Sequence, residues 1–228
     1  MTVSIHQPNF MPWIGYFNKI MRSDRFVFLN DVQFERGKTF TSRTKILQQG
    51  EPAWLSVPVT GRGDLMKINE IQVESPFLWK KKHLKTLELN YKKTPFFHDV
   101  FPLLESVYHS ESMFLQDYNR SFITEVSHFL GFSCSFINSD SLSDSSHGGT
   151  DKIISILKQV NAEEYISGSG SGSKKYISET MLKQHNIRLT WQEYTAKPYR
   201  QLNAKSFHEN LSIVDLLFHK GKESVEYL

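Results

Sequence analysis

The chain has 228 residues, 39% of them hydrophobic and 13% aromatic, enough for one sizeable packed core and too apolar for long disordered stretches. A formal charge of +3 does not by itself argue for nucleic-acid binding, and it suits an anionic small substrate equally well. The single cysteine, Cys134, excludes an intrachain disulfide and a Cys-based metal site. No window approaches the roughly 20 apolar residues of a membrane span. The N-terminus lacks a basic region followed by a long apolar run, so a cytoplasmic protein with no membrane partner is expected.

Val3 to Ile5 is an apolar run that stops at His6 and Pro8, so a first strand ends where a polar cluster begins. From Pro12, the residues Trp13, Phe17, Ile20 and Met21 recur at helical spacing. Arg25 to Val32 reads as a second strand finishing in Asn30 and Asp31. Residues 35–52 carry Arg36, Lys38, Arg43 and Lys45 with little periodicity and read as a basic loop or short helix. Strands are expected at Ala53 to Val59 and Ile68 to Val73, turning at Gly61-Arg62-Gly63-Asp64.

From Pro76 to about Gly131 the pattern is helical, with stripes Leu78, Leu84, Leu87, Tyr91, then Val100, Leu103, Leu104, Val107, then Phe114 to Leu130. Strands at Phe132 to Ile137, Tyr165 to Ser167 and Ile187 to Trp191 follow, separated by helices at about 149–160 and 173–184. A last helix covers Ser212 to Phe218 and ends near Gly221. Short strands alternating with helices predict an α/β fold with a mostly parallel, Rossmann-like sheet. The chain reads as one domain, 1–228, with a helical insertion at about 76–131.

Several groups have the chemistry of a site. His6, Gln7 and Asn9 around the rigid Pro8 offer convergent hydrogen bonds for a phosphate or carbonyl, and His6 can move a proton near neutral pH; the alternative is a buried histidine capping the strand. Asp31 and Gln33, past the second strand, can take an amine or a ribose hydroxyl, or simply form a turn. Arg43 and Lys45 suit a phosphate or carboxylate, or a solvated face. Trp79 and His83, four apart on a helix, share a face, more often as core plus surface. Ser169, Ser171, Ser173 and Lys174, in a Ser-Gly run between an apolar strand and a helix, can cradle a phosphate, although no Walker spacing is present and a solvated loop is the alternative. Tyr199 and Gln201 lie beyond the last strand, where they can close a pocket. No His or Glu pair has good metal spacing, so no metal site is expected.

The runs IHQPNFMPWIGYFNKI, RFVFLNDVQF, SRTKI, WLSVPV and INEI, then WKKKHLKTLELNYKKTPFF, EEYISGSGSG and LSIVDLLFHKG, resemble the blocks of the WbqC-like family of bacterial surface-polysaccharide gene clusters over nearly the whole chain. The resemblance implies an amino-acid (glycine) transferase or ligase of O-antigen synthesis, forming an amide on a nucleotide-linked amino sugar. In that reading His6 is base or phosphate ligand, Gln7 and Asn9 orient the acyl carbonyl, Asp31 holds the amine, and Arg43 with Lys174 hold phosphates. The activated amino acid comes from ATP with magnesium, from charged tRNA, or from a carrier.

Residues 3–20 also resemble the opening of nucleotidylyl-transferase-like folds, with Trp13, Gly15 and Tyr16 at the first helix and Gly15 permitting close approach. The rival readings are a nucleotidyltransferase or hydrolase on the same scaffold, and a non-catalytic glycan or nucleic-acid binder that stacks ligands on Trp13, Tyr16 and Phe40. A binder requires a continuous basic stripe; an enzyme requires a deep pocket around His6.

Overall fold

A computed structural model describes the chain except residues 36, 38, 62–64 and 144–147. In chain order the elements are β1 (Thr2–His6), α1 (Ile14–Met21), β2 (Arg25–Phe28), β3 (Arg43–Gln48), β4 (Glu51–Ser56), α2 (Pro76–Tyr91), α3 (Phe97–Tyr108), α4 (Leu115–Phe129), β5 (Ser135–Asn138), α5 (Gly149–Gln159), β6 (Glu164–Gly168), α6 (Ser171–Tyr176), α7 (Glu179–Gln184), β7 (Arg188–Gln192) and α8 (Ile213–Lys220). Five strands form one parallel sheet in the order β5-β2-β1-β6-β7, and β3 pairs with β4 as a separate antiparallel hairpin. The α/β, Rossmann-like expectation holds.

Strand alternation divides the core between the two faces of the sheet. Val3, Ile5 and Val27 point to a cluster with Ile153 and Leu157 of α5 and Leu182 of α7. Phe26 and Phe28 point the other way, to a larger cluster with Phe17 of α1, Phe122 of α4 and Phe218 of α8. Each of these phenylalanines is at most 1% exposed, and burying such a ring stabilises by about 1.5–3 kcal/mol. Helix α8 runs through this cluster with Ile213 to Phe218 all buried, and it ends at Gly221 at positive φ, where a Cβ would strike the Phe96 ring.

Four elements differ from the sequence expectation. Residues 43–48 and 51–56 are a hairpin, not a basic loop or short helix, because Ile46, Leu47 and Leu55 face inward while Arg43 and Lys45 lie over the Trp54 ring. The turn is Gln49-Gly50, both at positive φ. Residues 68–70 form a 3-10 helix instead of a strand, closed by the Glu70 carboxylate accepting from the Lys67 amide at 2.8 Å. Gly61 of the expected turn is described, but 62–64 lie outside the described residues.

The helix expected over 173–184 is two short helices, with Ser178 capping α7. The buried stripe of α2 is Trp79, His83, Leu87 and Tyr91, while Leu78 is 67% exposed. Trp79 and His83 are therefore both core residues, edge-on to each other, with His83 edge-on and Trp79 tilted against Tyr108.

Candidate active site

In this strand order β1 and β6 are neighbours at the point where the sheet reverses its winding, and a crevice forms there outside the carboxyl ends of the strands. β1 leads to α1 on one face, while the chain after β6 packs Ile177 and Leu182 on the other. Three adjoining cavities of about 350, 300 and 370 Å³ open in this region, and His6, the last residue of β1, lines all three.

The loop that carries His6, Gln7 and Asn9 is pinned on several sides. Asn119 of α4 donates to the Pro8 and Thr41 carbonyls, both at 2.8 Å. The Phe10 amide donates to the Phe40 carbonyl at 2.9 Å, and the Thr44 hydroxyl to the Met11 carbonyl at 2.9 Å. Such cross-bonds hold a catalytic loop in one geometry before any ligand arrives.

The His6 ring has a defined tautomer. Its Nδ1 lies 3.0 Å from the Gln7 carbonyl oxygen, which can only accept, so Nδ1 carries the hydrogen and Nε2 presents a lone pair. Nε2 makes no hydrogen bond with the described residues. The ring sits edge-on to Tyr16, whose hydroxyl donates to the same Gln7 carbonyl at 3.0 Å. Although part of the ring faces the cavity, the surrounding protein desolvates it; with the Lys19 charge as a second cause, this pushes the pKa down to about 3 and keeps the imidazole neutral at pH 7.

Trp13 and Gly15 form one unit. The Trp13 indole lies over the first turn of α1, where a Cβ on Gly15 would come within 2.2 Å of it. The close approach that Gly15 allows is thus to an indole lining two of the cavities, which also packs edge-on to Tyr194. Gln192, at the end of β7, donates to the Gly15 carbonyl at 2.6 Å and the Asn18 side-chain oxygen at 2.7 Å, tying the far strand to α1.

Gln7 and Asn9 line the first cavity, Tyr16 and Ser169 the third, and Ser173 the second and third. Ser171 is exposed and lines none of the three; Lys174 is exposed with its Nζ 5.9 Å from the Trp191 ring. Asp31 is absent from their walls. Its carboxylate is bound to Lys152 of α5 at 2.6 Å and to the Ser139 hydroxyl, so it is engaged inside the fold. Gln33 is exposed and bridges to Lys67.

Arg43 stacks on Trp54 with its guanidinium carbon 3.7 Å from the ring centroid, away from the cavities. His83 is buried, donating Nε2–H to the Ser56 carbonyl and accepting from the Tyr108 hydroxyl; burial lowers its pKa to about 4. Tyr199 and Gln201 donate to the buried Asp215 carboxylate at 2.7 and 3.0 Å instead of closing the cleft.

Two residues outside the sequence expectation stand in the cleft. Glu35, in the loop after β2, lines the first and second cavities and supplies the carboxylate there. Lys19 of α1 is 2% exposed and lines the third; desolvation lowers its pKa to about 7. No sequence signal marks Lys19, which is one of seven buried residues in the helix Ile14–Met21.

A family model described as the WbqC-like protein family matches residues 7–227. The chain is 32% identical to an uncharacterized protein of Mycobacterium tuberculosis, over 229 residues covering 99% of this chain and 96% of the relative. No solved structure matches the chain significantly.

Proposed function

Because the chain belongs to the WbqC-like protein family, as the match over nearly its whole length shows, we propose that the cleft at His6 is the active site of an amide-forming acyltransferase or ligase. The acyl group is an activated amino acid, glycine first. The acceptor is the amine of a nucleotide-linked amino sugar used in surface-polysaccharide synthesis. Supply by ATP with magnesium and supply by charged tRNA are the two donor routes to separate.

One observation carries this reading: the Nδ1–H bond to the Gln7 carbonyl leaves the neutral His6 Nε2 as an acceptor in a cleft shared with a carboxylate, Glu35. Glu35 holds the incoming ammonium group. Once the ammonium has released one proton to solvent, its nitrogen pair attacks the acyl carbon, a C–N bond forms, and the bond to the leaving oxygen breaks with its electron pair. His6 Nε2 receives the proton shed by the attacking nitrogen. An imidazole with so low a pKa is a weak base in the empty cleft, and an anionic substrate group beside it raises its basicity. The side-chain amides of Gln7 and Asn9 orient the acyl oxygen. Cavities that converge on His6 support this reading over the binding-module one.

The test is incubation with radiolabelled glycine and a uridine diphosphate amino sugar, with either ATP and magnesium or glycyl-tRNA. A labelled amide that depends on the sugar, lost by about 10²–10⁴-fold in His6→Ala, is expected. Pyrophosphate or free acid without amide identifies a nucleotidyltransferase or hydrolase and overturns the reading.

A further inference from the structure

Lys19 is a charged group of the cleft to which the amide-forming step gives no work. Its side chain is 2% exposed, and its Nζ makes no hydrogen bond or ion pair with any described residue; an aromatic neighbour, the Phe26 ring of β2, has its centroid 6.0 Å away. A lysine buried without a counter-ion is costly, and folds rarely retain one unless something outside the fold compensates it. The groups facing the cavity with it are His6 from β1, Tyr16 from α1, Ser169 and Ser173 around α6, and Gln192 and Tyr194 at and beyond the end of β7. No carboxylate is among its lining residues, whereas Glu35 lines both of the other cavities.

We propose that Lys19 receives a phosphoryl oxygen of the nucleotide-linked substrate, so that the cleft is polarised, with an anion end at Lys19 and an amine end at Glu35. The proposal rests on the reading of this cleft as the substrate site. It replaces Arg43 and Lys174, which stack on Trp54 and lie near Trp191, as the phosphate cation. An ammonium already stripped of water loses little further solvation when a phosphate oxygen enters, so the pairing is stronger than at the surface. The serine hydroxyls of Ser169 and Ser173 supply neutral donors beside it. An oxyanion there also favours the protonated form of both Lys19 and His6.

Calorimetric titration of the full chain with uridine, uridine diphosphate and inorganic phosphate tests this without any turnover. The diphosphate is expected to bind at least about tenfold more tightly than uridine, and Lys19→Met or Lys19→Gln to remove that advantage while uridine binding stays unchanged. Inorganic phosphate competing with the diphosphate shows that the phosphoryl group is sufficient; failure to compete shows that the nucleoside is needed to hold it.

Equal affinity of wild type for uridine and its diphosphate, or full diphosphate affinity in either folded variant, overturns the proposal. Because wild type alone can fail this test, misfolding of a variant does not protect the proposal. Diphosphate binding that needs Lys19 without any amide product sinks the acyl-transfer reading alone; amide formation with unchanged binding in Lys19→Met sinks this one alone.

Discussion

Two buried polar clusters, on the helices α8 and α1, are built on different terms. Around Asp215, in the buried stretch Ile213 to Phe218 of α8, donors come from Tyr91 at 3.1 Å, Tyr199 at 2.7 Å and Gln201 at 3.0 Å, so the carboxylate is satisfied from within the protein. His219 beside it accepts from the Leu202 amide at 2.8 Å through Nε2 and donates from Nδ1 to the Asp215 carbonyl at 2.6 Å. Around Lys19 and His6 the opposite holds among the described residues: one ammonium lacks a hydrogen-bond or ion-pair partner, and one ring nitrogen is left to a cavity. A closed network fixes the chain after β7 onto α8, whereas an open one leaves its bonds for a ligand. Satisfaction of a buried group is therefore the physical mark that separates structural from functional polarity here.

The sharpest way to break this contrast is to remove the centre of the closed cluster. Asp215→Ala leaves the buried hydroxyls of Tyr91 and Tyr199 without their acceptor and is expected to lower the unfolding free energy by about 3–5 kcal/mol in urea titrations. Any ligand affinity of the folded fraction should be unchanged.

The open cluster should respond with the other sign. Lys19→Met replaces an unpaired buried cation by an apolar chain of similar length and is expected to stabilise by about 1–4 kcal/mol near pH 6. The folded pKa of about 7 lies below the ordinary 10.5, so between those values the unfolded chain binds the extra proton. Wild-type stability therefore rises with pH across that window, and the advantage of the variant shrinks, which melting curves at pH 6 and pH 9.5 would show.

The buried histidines act in a lower window. His6 and His83 have folded pKa values of about 3 and 4 against an ordinary 6.5, so their neutral forms support the fold fully above pH 6.5. Below it the unfolded chain takes up the protons, and stability falls by at most about 1.4 kcal/mol per pH unit for each ring. His83→Gln should flatten that acid limb by up to one proton. The smallest effect is expected at Arg43→Ala, where loss of the stacked guanidinium over Trp54 costs about 0.5–1 kcal/mol and leaves ligand binding in the cleft untouched.

Local patterns made the sheet legible. β1 ends at a polar, proline-bearing turn, and alternation of apolar strands with helices carries the parallel order without long-range information. The hairpin at 43–56 was obscured because its basic side chains lie along Trp54 and hide the alternation of Ile46 and Leu55. Within the cleft, strand-end rules point to His6 at the end of β1 and to the Ser-Gly run after β6. The same rule misleads at Asp31, whose partner Lys152 lies 121 residues along the chain. Lys19 and Glu35 were invisible for a related reason: burial of the first and the place of the second in the cleft arise only when α1, β6 and the loop after β2 meet.

The most direct measurement is a crystal structure with a uridine diphosphate amino sugar bound. The account places its phosphates beside Lys19 Nζ and Ser173, with the sugar amine toward Glu35 and within reach of His6 Nε2. A ligand seated instead on the exposed face of Trp54, with the cleft at His6 vacant, would contradict it.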